Sequence, residues 1–367
     1  LPSIGVKGVY NDNLLLITLP HSATYGYWIS PAAEFAGKTE RLEVSGRIAA
    51  DFVSYYGGEE RRFTNTFLPL TMSYKTEKDL FGFTGGFTRD NTLMSELLAT
   101  GIVLRFTQRN QWNTTPTWTR SLTEKLSFQS SFQFSDTTYE NGLKLGLVDY
   151  QLLGGSSGLL YQITEQNQIQ LSGSYVSFRT ANAPSPFRAS YPSANLSLTH
   201  TFTETLTATA YGGPSFMTST TQAAGANIKA QNTIWLFGAN LTKKFESTTI
   251  QVNMARNIVP SGFGLLFQTD QAGVTISHDL SETLTTSFTA SGYIISGIAT
   301  RAQGSITQES HYYTATPTIT WKFLEWWKAE LSYTYGRREA ADFSNIAMSN
   351  ATMFMLTYYP PKLAISN

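Results

Sequence analysis

The chain of 367 residues contains no cysteine. This absence excludes disulfides, thiolate metal sites, iron–sulfur clusters and covalently attached c-type haem. Four histidines are present, and no two of them have the spacing of zinc ligands. We therefore expect neither a metal nor a cofactor, and no electron transfer through haems of its own.

Charged residues are also scarce, at 14% of the chain against roughly 25% in an ordinary soluble domain. The 26 Lys and Arg cancel the 26 Asp and Glu, so no long-range field favours nucleic acid as a partner. In place of charge the chain has 49 Thr and 36 Ser. Its water-facing surface is therefore expected to consist mostly of hydroxyl and amide groups.

No apolar run approaches the roughly 18 to 20 residues that a membrane-spanning helix needs, which excludes a helical membrane protein. The chain begins with Leu1-Pro2-Ser3-Ile4 rather than with a charged and then apolar signal segment. We expect any export signal to have been removed.

What the chain does have is period-2 alternation of apolar and polar side chains, which is typical of strands with two different faces. Examples are the segments 42–52, 169–175, 250–254 and 352–358. Such segments run for about 10 to 16 residues, longer than the usual 5 to 6 of a globular sheet. Tilted strands of about 9 to 11 residues are what a bilayer requires.

A short polar turn that contains a glutamate recurs between the alternating segments, at Glu40, Glu77, Glu124, Glu165, Glu204, Glu246, Glu282 and Glu325. The intervals between these glutamates range from 36 to 47 residues, which fits two strands, one tight turn and one longer loop. Nine longer Gly/Pro/Asn/Asp-rich stretches lie between the turns; one of them covers residues 218–231. Seventeen connections predict eighteen strands, with both termini on the short-turn side.

The fold class predicted is therefore all-β: one domain over residues 1–367, forming a transmembrane antiparallel up-and-down β-barrel of about 18 strands with short periplasmic turns and longer extracellular loops. A soluble propeller is the alternative, but each interval holds two long strands instead of four short ones. Aromatic residues flank the predicted turns and loops, as membrane-interface belts do: Tyr25, Trp28, Tyr55, Tyr56, Tyr74, Trp118, Tyr161, Trp321, Trp326 and Trp327.

Three short motifs carry a resemblance to a known family. They are Tyr10-Asn11-Asp12-Asn13-Leu14, the repeated Thr-Glu-x-Leu/Ile turns, and Met355-Leu356-Thr357-Tyr358-Tyr359-Pro360-Pro361. Together they resemble the outer-membrane β-barrel, porin-like proteins of exopolysaccharide-secretion and exosortase-associated loci in Gram-negative bacteria. The last strand, 349–358, is also similar to the signal that barrel-assembly machinery recognises. The resemblance implies an outer-membrane location and passage of a polysaccharide or its assembly partners, and it supplies no catalytic residues.

Barrels of 16 to 18 strands enclose an aqueous lumen, and strand parity predicts which residues line it. The pore-lining candidates are Glu43, Arg47, Asp51, Arg105, Arg109, Gln111, Gln251 and Asn253. Arg105 and Arg109 could bind uronate, sulfate or phosphate groups, or could instead pair with Glu43 or Asp51. The segment 93–98, apolar for an exposed loop, could fold into the barrel as a constriction or form a surface cap.

These observations leave three functions open. The leading hypothesis is a conduit that exports a polysaccharide, an exopolysaccharide-secretion porin. The alternatives are a general or substrate-specific diffusion porin, and a barrel that sheathes or anchors a partner protein in an outer-membrane complex. We do not expect an enzyme, since a rim hydrolase would need a serine beside His311. The expected partners are membrane lipid, a polysaccharide or other hydrated solute in the lumen, and a periplasmic secretion partner.

Overall fold

The computed structural model describes residues 1–18, 20–58, 60–100, 106–223, 226–298, 309–340 and 343–361. In chain order its elements are β1 (Pro2–Asn11), β2 (Thr24–Lys38), β3 (Leu42–Gly57), β4 (Arg61–Lys75), β5 (Asp79–Asn91), the helix α1 (Thr92–Thr100), β6 (Gln108–Ser121), β7 (Leu126–Tyr139), a 3-10 turn (Gly142–Leu145), β8 (Asp149–Thr164), β9 (Asn167–Ala181), β10 (Phe187–Thr203), β11 (Leu206–Ala223), β12 (Ala226–Lys244), β13 (Thr248–Pro260), β14 (Leu266–Asp279), β15 (Leu284–Gly297), β16 (Ser310–Leu324), β17 (Trp327–Ala340) and β18 (Phe343–Tyr358). Within these ranges no helix is both long and apolar enough to cross a membrane.

Every strand pairs antiparallel with the strands before and after it in sequence. The first strand also pairs with the last, with Ile4 opposite Tyr358 and Asn11 opposite Ala351. That pairing closes the sheet, so that the predicted fold class, an antiparallel barrel of 18 strands, is confirmed. Closure leaves no free sheet edge in the bilayer, where an unpaired backbone group would cost several kcal/mol.

The connections alternate in length only in part, because β3–β4, β11–β12 and β17–β18 are each separated by three residues or fewer at the loop end. The loop predicted at residues 218–231 is wrong. Residues 218–231 were expected to form a loop, but β11 and β12 stay paired from Thr218↔Gln231 to Ala223↔Ala226. This segment is polar because the outer face changes from apolar to polar residues on the loop-end side of Phe216 and Trp235. Beyond them it bears Thr218, Gln231 and other polar residues, as expected for a hairpin that rises out of the bilayer into water.

The threonines of the repeated short turns stabilise these turns through side-chain hydrogen bonds. In four of the eight short turns the hydroxyl of a threonine accepts a hydrogen bond from the backbone N–H three residues later, at 2.9 to 3.1 Å: Thr39 to Leu42, Thr76 to Asp79, Thr123 to Leu126 and Thr164 to Asn167. Ser281 does the same with Leu284 at 3.1 Å. The side chain thus replaces a backbone acceptor and fixes a tight turn.

Large apolar side chains cover one face of the strands. On β3, Ile48 and Phe52 are 58% and 50% exposed, whereas Val53 and Tyr55 on the opposite face are buried. The same parity elsewhere exposes Leu171, Leu196, Phe216, Trp235, Met254 and Phe354, which form an apolar outer band. Two of the predicted belt aromatics are wrong: Trp28 lies opposite Val53 and packs on Tyr55, so both face the lumen.

At the loop end the lumen holds a packed apolar cluster. Its buried members are Tyr139, Leu147, Tyr150, Val176, Phe178, Phe187, Ala189, Tyr191, Met217 and Leu266. Most of them are inner-face residues of β7 to β11, and Leu266 comes from β14. The inner wall of the barrel is therefore covered here by another part of the chain.

Candidate functional site: the lumen and its mouth

Three candidate residues lie on the inner face of β3. Glu43, Arg47 and Asp51 alternate with the outward Ile48 and Phe52. Glu43 lies 3.5 Å from the ammonium group of Lys38, and Arg47 lies 3.8 Å from the carboxylate of Glu34. Both pairs are exposed, so each contributes little to stability, and their charges largely cancel.

The guanidinium of Arg109 is held by a carboxylate, but not by the one predicted. It binds Asp90 in bidentate fashion, with nitrogen–oxygen distances of 2.9 and 2.7 Å, instead of Glu43 or Asp51. β5 continues to Asn91 and places Asp90 directly opposite Arg109. Both side chains are nearly buried. Arg105 lies outside the described residues.

The uncharged candidates also follow the predicted parity. The amide nitrogen of Gln111 donates to the hydroxyls of Ser135 and Thr137, at 3.2 Å in each case. Gln251 and Asn253 alternate with the outward Val252 and Met254. In register they lie opposite Thr242 and Asn240, so this part of the inner face is lined by amides and hydroxyls.

That uncharged surface extends around half of the barrel, over the inner faces of β7 to β15, and we name it the neutral wall. Cross-strand hydrogen bonds join its side chains, as between Ser131 and Ser156 at 2.8 Å and between Ser174 and Ser193 at 2.6 Å. Other members are Gln129, Gln170, Asn195, Ser197, Thr199, Thr209, Asn240, Gln251, Asn253, Thr275, Ser287 and Thr289. Among its described residues, charge occurs only at the short-turn end, on Lys244 and Asp279.

Charged side chains are concentrated on the other half, over the inner faces of β16 to β6 through the β18–β1 closure. They include Lys7, Glu34, Glu43, Arg47, Asp51, Asp90, Arg109, Lys328, Glu330 and Arg338. Lys328 and Glu330 are 3.3 Å apart. The pairing of opposite signs reduces the field that this half projects into the lumen.

The segment 93–98 folds into the barrel and does not form a surface cap. It belongs to α1, where the side-chain oxygen of Asn91 accepts the N–H groups of Leu93 and Met94 at 3.1 and 3.3 Å, as a helix N-cap does. Met94 contacts the amide of the buried inner-face residue Asn65 at 3.6 Å. The side chains of residues 97 and 98 lie outside the described part of the chain.

A second segment, which the sequence did not indicate, crosses the mouth. Pairing between β12 and β13 stops at Phe237↔Arg256, although β12 stays paired with β11 up to Ala226 and β13 with β14 up to Pro260. Above that point the two hairpins separate. The distal part of the β13–β14 hairpin, residues 257–269, then lies inside the barrel, and we call it the mouth hairpin.

The tip of the mouth hairpin reaches loops of distant strands. The carbonyl of Gly262 accepts the N–H of Val148 at 2.7 Å, and the N–H of Gly262 lies 3.2 Å from each carboxylate oxygen of Glu96. Leu266 enters the apolar cluster beside Phe178. Since α1 stands almost opposite β13 and β14 in the ring of strands, the hairpin reaches across the opening.

Glu96 is the ionisable group at this contact. Its carboxylate accepts hydrogen bonds from the hydroxyl of Tyr139 and from Gly262. Burial raises the pKa of Glu96 above its ordinary value, although these two hydrogen bonds and the charge of Arg109 oppose the shift. Ionisation of Glu96 therefore works against the closed arrangement.

Among the described residues of the rim, His311 contacts Glu309 at 2.7 Å and the hydroxyl of Tyr313 at 3.4 Å. The nucleophilic serine that a rim hydrolase requires is not among these partners. Within the described parts of the chain no group of three or more His, Asp or Glu is placed to hold a metal ion.

Comparison with known proteins yields similarity of fold alone. No family model matches the chain, and no curated protein matches it. Among solved structures, the copper transporter OprC aligns over 98% of this chain and 65% of its own, with 12% identity and a TM-score of 0.53. The alcaligin outer-membrane receptor FauA from Bordetella pertussis aligns over 99% and 66%, with 12% identity and a TM-score of 0.51. OccAB4 from Acinetobacter baumannii has 12% identity, 97% coverage of both chains and a TM-score of 0.47.

The chain thus spans about two thirds of the length of OprC and FauA. Its fold is that of Gram-negative outer-membrane barrels, and its apolar outer band is the surface that such barrels present to lipid. The protein is an outer-membrane β-barrel. In barrels of this fold the short turns generally face the periplasm and the longer loops face outward.

Proposed function

We propose that the barrel is a gated outer-membrane conduit for a polysaccharide, which it carries toward the cell exterior. The observation that carries this proposal is the neutral wall, which offers hydroxyl and amide groups over nine consecutive strands. A saccharide exchanges its water shell for such groups at little cost, because both partners donate and accept hydrogen bonds. The resemblance of the sequence motifs to exopolysaccharide-secretion barrels supports the same cargo.

The closed mouth favours this function over a general diffusion porin. A diffusion porin depends on a permanently open lumen, whereas here the mouth hairpin contacts Glu96 and Val148 across the opening. Two proteins of similar fold are a copper transporter and an alcaligin receptor. We infer a transport role for this chain from the residues that line its lumen.

The test is a vesicle efflux assay with a matched pair of hairpin truncations. In one variant residues 258–268 are replaced by a two-residue turn, which removes the mouth hairpin. In the control, residues 220–229 of the β11–β12 hairpin are replaced in the same way, because that hairpin rises away from the mouth. Vesicles are loaded with a labelled neutral oligosaccharide.

We expect low conductance and slow efflux from the unmodified barrel and from the control, and rapid efflux when the mouth hairpin is removed. High conductance of the unmodified barrel would instead identify a diffusion porin. Co-purification of a stoichiometric protein inside the lumen would identify the sheath function. Efflux of small ions without any saccharide through the truncated barrel would contradict the proposal.

A further inference from the structure

The chemical class of the transported saccharide can be specified further. We propose that the saccharide is uncharged and that it binds to the neutral wall with the ring of Tyr211 as its stacking platform. This proposal rests on the proposed function. It names the chemical class of the substrate and one residue that selects it.

The position of Tyr211 is defined by its neighbours in register. It lies opposite Ser197 on β10 and Gly238 on β12, which puts it on the inner face with the buried Ser193 and Ser215. A Cβ on Gly238 would come within 2.5 Å of the ring carbons of Tyr211. The ring therefore lies flat over the bare backbone of β12, and only glycine permits this.

The opposite face of that ring is accessible. Tyr211 is 37% exposed, whereas the other aromatic residues on the described inner faces of β7 to β11, such as Phe178 and Tyr191, are buried in the apolar cluster. A flat aromatic ring fixed against a wall suits the apolar C–H face of a pyranose, and Tyr supplies a hydroxyl at its edge.

Hydrogen-bonding groups flank the ring on both sides. Ser197 faces it from β10, and Asn195 lies one pleat further along the same face. The side-chain oxygen of Asn195 is buried without a hydrogen-bond partner among the described residues. Asn240 stands one pleat from Gly238 on β12. A sugar stacked on Tyr211 would thus meet the hydroxyl of Ser197 and the amide of Asn240, each of which can donate and accept hydrogen bonds.

Charge on the cargo would find no partner at this place. Among the described residues of the neutral wall, charge occurs only at the short-turn end, on Lys244 and Asp279. An anionic group moved away from water without a counter-charge is strongly disfavoured. Arg109, which was expected to attract uronate or sulfate, is already neutralised by Asp90.

The experiment compares isomaltohexaose, which is neutral, with hexagalacturonate, which has the same number of sugar units and a carboxylate on each. Binding to the barrel in lipid nanodiscs is measured by calorimetry at low and high salt. We expect isomaltohexaose to bind with an affinity that salt does not change, and hexagalacturonate to bind at least about tenfold more weakly.

Variants of two tyrosines test the platform. Tyr211→Ala should weaken the binding of isomaltohexaose by about three- to tenfold, and Tyr211→Phe should retain most of it. The matched control is Tyr313→Ala, since Tyr313 is similarly exposed but lies on the outer face, and it should leave binding unchanged.

Each other outcome is decisive. Tighter, salt-sensitive binding of hexagalacturonate would overturn the uncharged cargo while leaving the conduit function intact. Equal affinities of Tyr211→Ala and the unmodified barrel would overturn the platform. If neither saccharide binds and neither leaves vesicles through the barrel without its mouth hairpin, the proposed function itself fails.

Discussion

Arginine substitutions at two adjacent residues of β13 test the assignment of the two faces. Met254 is 51% exposed on the outer band, and Asn253 is on the neutral wall. Both lie five or six residues above the turn at Thr248. At roughly 2.3 Å of height per tilted residue, this places them about 12 to 14 Å above the turn, near the middle of an apolar band about 25 Å tall.

Met254→Arg should therefore destabilise the barrel by about 2 to 4 kcal/mol, the cost of arginine on a lipid face near the bilayer midplane. This corresponds to a shift of about 30- to 1,000-fold in the folding equilibrium. Asn253→Arg exposes its charge to lumen water and should cost less than about 1 kcal/mol.

The assay is reversible unfolding by guanidinium chloride in lipid vesicles, with the free energy of unfolding extrapolated to zero denaturant. Met254→Leu serves as the control, because it keeps the outer face apolar and should change stability by less than about 1.5 kcal/mol. Equal costs for the two arginine variants, or a larger cost at Asn253, would refute the assignment of faces and with it the neutral wall.

Three further predictions concern the mouth. The raised pKa of Glu96 means that the closed state is stabilised below the ordinary carboxyl value of about 4.3 and loses this stabilisation as the pH rises through the raised value. Conductance should therefore increase with pH over this window, and Glu96→Gln should remove the dependence. An unchanged pH profile of the Glu96→Gln barrel would contradict the prediction. Val148→Pro removes the N–H that binds Gly262 and should raise the open population about fivefold, for about 1 kcal/mol per hydrogen bond, whereas Val148→Ala should not; single-channel recording distinguishes them. Asp270→Asn weakens its contact with Arg256, at 2.5 and 2.7 Å, where β13 leaves β12, and should raise the open probability in the same recordings; unaltered gating would show that this pair does not hold the hairpin.

Strand number and parity could be predicted because one physical constraint applies along the whole chain. Lipid on one side and water on the other force apolar and polar residues to alternate, as at Ile48 and Arg47. Threonine turns mark the short-turn end for a local reason, the hydroxyl of Thr39 or Thr123 bonding three residues ahead. Signals of this kind need no knowledge of distant contacts.

The contacts of the mouth hairpin and the position of Tyr211 could not be predicted, because both depend on residues that are far apart in the sequence. Glu96 and Gly262 are 166 residues apart, and nothing near either residue indicates the other. On β9 the inward Val176 and Phe178 and the outward Tyr175 are all apolar or aromatic. Where a hairpin covers the inner wall, the apolar–polar pattern therefore no longer distinguishes the inner face from the outer face. Tyr211 is one aromatic residue within a polar strand, and only the register shows that it lies over Gly238.

The apolar contacts of the mouth hairpin determine how tightly the conduit is closed. Moving the hairpin out exposes the buried Leu266, at about 2 kcal/mol, and the partly buried Ile258 and Phe263, at about 1 kcal/mol each. A total near 4 kcal/mol leaves the open state at about one part in a thousand. Opening then requires a binding event that favours the displaced hairpin by a similar free energy. Contacts with the neutral wall are made equally in both states and cannot supply it. On the proposed function, only the sugar units that reach the mouth and take the place of the displaced hairpin make contacts that the closed state lacks, which a long polymer can do and a small solute bound lower in the lumen cannot.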